Sequence, residues 1–99
     1  MHVIAAELRA APGRREELLA LCRRMLAPSR AEEGCLSYRF FVDPDDPERV
    51  LFFEEWRDRA AIDRHFATPH FRDFQARTAD LIDAEPVLRI YRAEPEPAA

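Results

Sequence analysis

Two of the three histidines fall five positions apart in the stretch RHFATPHFRD, residues 64–73, with Thr68 and Pro69 between them. Imidazole exchanges its proton near neutral pH, so such a pair suits proton transfer, metal ligation or the joining of two helices. Thr68 is a good N-cap and Pro69 fits the first helical position, while the residue before a proline is pushed out of helical geometry. One helix therefore ends and another begins at the TPH step. The positive end of the new helix disfavours a second proton on His70, leaving a neutral ring able to accept a proton from an acidic substrate. His65, at the negative end of the preceding helix, is expected to be biased the other way. Beside them, Phe66, Phe71, Phe74 and Trp56 form a cluster suited to an aromatic, weakly acidic ligand.

The same rings can serve structure alone, His65 bonding free carbonyls at a helix end and His70 fixing the joint. A five-residue step across a helix break is not the i, i+4 spacing of a helical two-histidine site. With no third and fourth ligand set apparent nearby, no metal is expected, although the fold could carry Glu54 close. Glu54 and Trp56 share one face of a strand with Val50 and Phe52, because strand side chains alternate. A glutamate in that apolar row needs a partner, and it reads either as a paired carboxylate or as a group orienting an imidazole.

The elements that must position these residues can be read in order. HVIAAELR, residues 2–9, is strand-like and is broken by Pro12 and Gly13. Leu18, Leu21, Cys22, Met25 and Leu26 recur at helical spacing from about Arg14 to Ala27, with Glu16 and Glu17 at the positive end and Arg23 and Arg24 at the negative end; Pro28 is expected to close this helix. CLSYRFFV and RVLFFEEW make a hairpin across DPDDPE. Asp58 is a candidate N-cap for a helix carrying Ile62 and Phe66 on one face. Phe71, Phe74, Thr78, Leu81 and Ile82 form the inward stripe of the next helix, and Pro86 precedes a last strand, VLRIYR.

This order predicts an α+β, ferredoxin-like βαββαβ fold with a four-stranded antiparallel sheet and helices on one face. A single domain is expected over residues 1–93, with 94–99 a flexible tail. Phe40 beside Phe41 and Phe52 beside Phe53 place aromatic rings on both faces of the hairpin. Two helical regions cover only one face, so a second copy of the sheet is expected on the other, giving a homodimer.

Composition excludes several classes. The 99 residues are 47% hydrophobic and 34% charged, as in globular proteins. The formal charge of −4 and the interleaving of acids with arginines leave no basic stripe for nucleic acid. Glu7 and Arg9 interrupt the opening apolar run, and nowhere do eighteen apolar residues follow one another, so neither membrane nor export is expected and a cytoplasmic location is. Lysine is absent while arginine, alanine and proline abound, a composition bias that points to a bacterial source. Cys22 and Cys35 match no ligand or redox spacing and read as buried thiols.

EEGCLSYRFFVDPDDP, LFFEEW and HFATPHFRDF together resemble the antibiotic biosynthesis monooxygenase family, most specifically in His65 followed by Thr68, Pro69, His70 and Phe71. The resemblance implies a dimeric α+β barrel with a cavity between sheet and helices. It also implies cofactor-independent oxygenation of a quinol-like or other aromatic hydroxylated molecule by molecular oxygen, without flavin or metal. On this reading His70 is the leading base, His65 its relay or a substrate donor, and Glu54, Trp56, Phe66, Phe71 and Phe74 surround the substrate. The chain has no asparagine, the residue on which polyketide- and haem-directed members are thought to rely, and no histidine near Gln75, so haem degradation is not expected. The TPH pattern also resembles an isomerase of a phosphorylated autoinducer ketone, for which Arg39, Arg64, Arg72 or Arg77 would hold the phosphate. A non-catalytic dimeric binding or stress protein is the third reading.

Overall fold

The computed structural model describes residues 1–99. β1 (His2–Arg9) leads through a turn at Gly13, whose φ of 77° suits glycine, into α1 (Arg15–Arg24). The helix expected to run to Ala27 ends earlier and restarts as α2 (Leu26–Arg30). Pro28 lies inside the first turn of α2 instead of closing α1. The break at Met25 makes this possible, since the first N–H groups of a helix have no partner within it and a proline there sacrifices no bond. Leu18, Leu19, Cys22 and Met25 are buried.

β2 (Cys35–Asp43) and β3 (Asp46–Trp56) form a hairpin tighter than the run of prolines and aspartates suggests, with the Asp45 N–H donating to Asp43 Oδ1 at 2.8 Å across its turn. α3 (Arg59–Phe66) is capped by Asp58, whose Oδ1 accepts from the Ala61 N–H at 2.8 Å. α4 (Pro69–Thr78) is capped by Thr68 with Pro69 at its start. Leu81 and Ile82 continue the inward stripe beyond the helix, Ile82 bridging to Ala10, before β4 (Val87–Arg92).

The sheet order is β2-β3-β1-β4, every pair antiparallel, which is the ferredoxin-like arrangement. Alternation divides it cleanly. Ile4, Leu8, Tyr38, Val50, Phe52 and Trp56 point to the helix side and form the core with Leu18, Cys22 and Ile62. Phe41, Leu51, Phe53 and Tyr91 take the opposite face, where no helix lies; Phe41 is 47% and Tyr91 50% exposed. Arg39 lays its guanidinium 5.4 Å from the Phe41 ring and 5.8 Å from that of Phe53. No helix is long and apolar enough to cross a membrane.

Candidate active site

A cavity of about 740 Å³ opens between the helix side of the sheet and α4 with its connection to β4. Its floor is Ala6, Leu8, Tyr38, Phe52 and Glu54, and its walls are Phe66, Phe71 and Phe74. Gln75, Ile82, Glu85 and Leu88 surround the opening side. The volume falls in the range of small-molecule sites, and the mixture of apolar walls with few polar groups is typical of them.

Glu54 is the carboxylate set into this floor. It is 4% exposed, and its Oε1 accepts a hydrogen bond from Trp56 Nε1 at 3.0 Å. Burial, reinforced by the charge of Glu32 and only partly offset by the indole N–H, pushes the carboxyl up to about 7. Tyr38, across the strand pair from Glu54, is pushed upward by burial and by the carboxylate and keeps its proton. Trp56 does not line the cavity; it lies beneath, its indole holding Glu54 and its ring 4.7 Å from that of His65.

The two imidazoles converge, but on a group that no local spacing singles out. His65 Nδ1 is 2.6 Å and His70 Nε2 2.8 Å from the same atom, Oε2 of Glu32. Neither ring lines the cavity. His65 stands behind the wall, 1% exposed, against Tyr38, Trp56 and Phe71. Its pKa is lowered, opposite to the expectation from its helix end, because desolvation outweighs the Glu32 contact. His65 Nε2 is buried without a partner. Thr68 closes the joint in two directions, its hydroxyl donating to the His65 carbonyl at 2.7 Å and accepting from the Phe71 N–H at 3.2 Å.

Glu54, Phe66, Phe71 and Phe74 thus share one cavity, while His65 and His70 form a separate cluster at its back. Sequence reasoning missed Glu32 and Tyr38. Tyr38 shares strand parity with Phe40, but only packing decides that this face meets the helices; Glu32 carries no local signal. Cys22 and Cys35 are unpaired, and burial pushes their thiols up to about 12 and about 11, so neither is an activated nucleophile.

The profile of the antibiotic biosynthesis monooxygenase family matches residues 1–77. The chain belongs to that family. Among its relatives, a Bacillus subtilis protein provisionally named a monooxygenase is 34% identical over 94 residues, 95% of this chain and 97% of its own. A Mycobacterium tuberculosis protein, also provisionally named a monooxygenase, is 41% identical over 71 residues, covering 72% of this chain and 69% of its own. The solved structure of a Mycobacterium tuberculosis protein superposes with a TM-score of 0.90 at 30% identity over 99% of this chain and 98% of that one. An uncharacterised Synechocystis protein is 41% identical over 90 residues, and the chain spans 61% of its length. More distantly, at 26% identity over 92% of this chain and 95% of its own, comes an Escherichia coli isomerase of a phosphonooxy pentanedione. The relatives' names thus carry two different chemistries, oxygenation and isomerisation.

Proposed function

We propose that this chain is a cofactor-independent monooxygenase of a quinol-like aromatic substrate, with Glu54 as its base. The observation that carries the reading is a buried carboxyl on the floor of an aromatic cavity, which that burial pushes up to about 7. A base titrating near the working pH combines availability with proton affinity, and the apolar walls suit an aromatic ring that carries the phenolic O–H.

In this mechanism Glu54 takes the phenolic proton, and the resulting electron-rich anion passes one electron to oxygen. The semiquinone and superoxide so formed combine, making a carbon–oxygen bond. Glu54 returns its proton to the peroxide and, as a carboxylate again, removes the hydrogen from the same carbon while the O–O bond breaks. One oxygen atom stays as a carbonyl and the other leaves in water, so quinol and oxygen give hydroxyquinone and water. Phe66, Phe71 and Phe74 would hold the ring, and Trp56 would hold the base. The imidazoles act through structure on this reading, fixing the α3–α4 joint that carries Phe66 and Phe71.

The ion that a phosphorylated ketone would need is not in the cavity wall. None of Arg39, Arg64, Arg72 and Arg77 lines it, Arg39 stacks on the far face of the sheet, and Arg77 is paired with Asp73 at 2.9 Å. This favours the oxygenase over the isomerase. The same proposal includes a homodimer formed through the uncovered sheet face with Phe41, Phe53 and Tyr91 at its centre. The test is oxygen uptake across a panel of quinols and anthrones. Uptake that vanishes in Glu54→Gln supports the reading; full uptake in that variant, or turnover unaffected by anaerobiosis, sinks it.

A further inference from the structure

We propose that Glu32, His65 and His70 form a binding site for a divalent first-row transition ion of the zinc class. The inference stands on this cluster alone and does not depend on the oxygenase reading. Two imidazole nitrogens and a carboxylate are the donor types that such ions take, and three protein ligands with one position left to water make an open tetrahedral site. The three ligand atoms lie within 4.8 Å of one another. Tetrahedral zinc with bonds of about 2.0–2.2 Å sets neighbouring donors about 3.3 Å apart. The 2.6 and 2.8 Å contacts to Glu32 must therefore open slightly, and a wider gap between the ring nitrogens must close. Rotation of the Glu32 and His70 side chains, both partly exposed, accommodates this.

The ligands are also held by separate rigid pieces. Glu32 follows α2, with its N–H bonded to the Ser29 carbonyl at 3.1 Å; His65 is gripped by aromatic rings; His70 is fixed in the first turn of α4 by the Thr68 cap. Both imidazoles crowd onto one oxygen of Glu32, and no protein group donates to the other. The partial exposure of Glu32 and His70 gives an ion its entry path. Opposing tight binding, ligation through His65 Nδ1 puts the ring proton on Nε2, which has no protein partner, whereas metal-bound histidines ordinarily donate that N–H. The site therefore ranks below closed structural zinc centres in affinity. Its ion would clamp the segment before β2 to the α3–α4 joint.

Tag-free protein stripped with a chelator and dialysed would be titrated with Co²⁺, followed by visible absorption, and with Zn²⁺ in competition with a chromophoric chelator. The expected result is one ion per chain, a ligand-field band from Co²⁺, and affinity lowered at least about tenfold in both Glu32→Gln and His70→Gln. The Cys22→Ser, Cys35→Ser double variant is expected to bind as wild type. His70 is partly exposed, so His70→Gln keeps the test decisive if Glu32→Gln fails to fold. Absence of uptake by the wild type, uptake unchanged in His70→Gln, or uptake lost with the cysteines would overturn the assignment.

Discussion

Replacing Glu54 by glutamine isolates the titration that the proposed base must undergo. Burial holds this carboxyl at about 7 in the folded chain, against an ordinary value of 4.5 to which it returns on unfolding. A group whose proton is held more tightly in the folded state contributes its full stability below the unfolded pKa, and that contribution is lost as pH rises through the folded one. At about 1.4 kcal/mol per pH unit the whole swing is about 3 kcal/mol. Most of it falls between pH 5 and pH 9. Glutamine keeps an oxygen for the Trp56 N–H and does not titrate. The stability of Glu54→Gln relative to wild type is therefore expected to grow by about 2–3 kcal/mol from pH 5 to pH 9.

Urea unfolding followed by far-UV circular dichroism, at one protein concentration and several pH values, reads this difference directly. His65 works in the opposite sense: its lowered pKa gives stability that is present above its ordinary value of 6.5 and is lost as pH falls below it. That contribution is common to both proteins and cancels. A difference that varies by less than about 0.5 kcal/mol across the window, close to the extrapolation error of such measurements, would mean that Glu54 does not titrate near neutrality. The case for it as base would then fail. The corresponding expectation for catalysis is a kcat/KM that rises through about pH 7 as the carboxylate form accumulates.

Glu32→Ala leaves the Nδ1 of a fully buried His65 without its partner and is expected to cost about 1–3 kcal/mol, measured by urea unfolding at pH 7. Gly34 has φ of +87°, and a Cβ there would stand 2.7 Å from Ala61 Cβ; Gly34→Ala is expected to lower stability by at least about 1 kcal/mol and to lower Tm. On the proposed dimer, wild type is expected to sediment as a dimer and Phe53→Asp, on the uncovered face, as a monomer at the same concentration with an unchanged far-UV spectrum. Thr68→Ala removes the α4 cap and should cost about 1 kcal/mol in the same unfolding assay.

Wherever a signal is carried by the backbone within a few residues, the sequence was enough. Asp58 and Thr68 cap because a short side-chain oxygen meets free N–H groups two or three residues on, and Pro69 opens α4 because its fixed φ suits a first turn. Val50, Phe52, Glu54 and Trp56 share a buried face because strand side chains alternate. Those facts fix the order of the elements and, with it, the ferredoxin-like fold. The same local logic misplaced the end of α1, where Pro28 is compatible with a helix that has just restarted, and it misjudged His65, whose helix-end position matters less than its burial.

What the tertiary structure alone decided is which distant residues meet. Glu32 reaches His65 across 33 positions and His70 across 38, and no spacing rule acts over that distance. The cavity is drawn from all four strands and two helices, so its existence depends on how α4 and the turn after it stand off the sheet. The outward direction of Phe41 and Phe53 follows from the side of the sheet on which the helices pack. Alternation makes two faces of every strand; only packing chooses which of them becomes the interior, because burial is a property of the assembled layers.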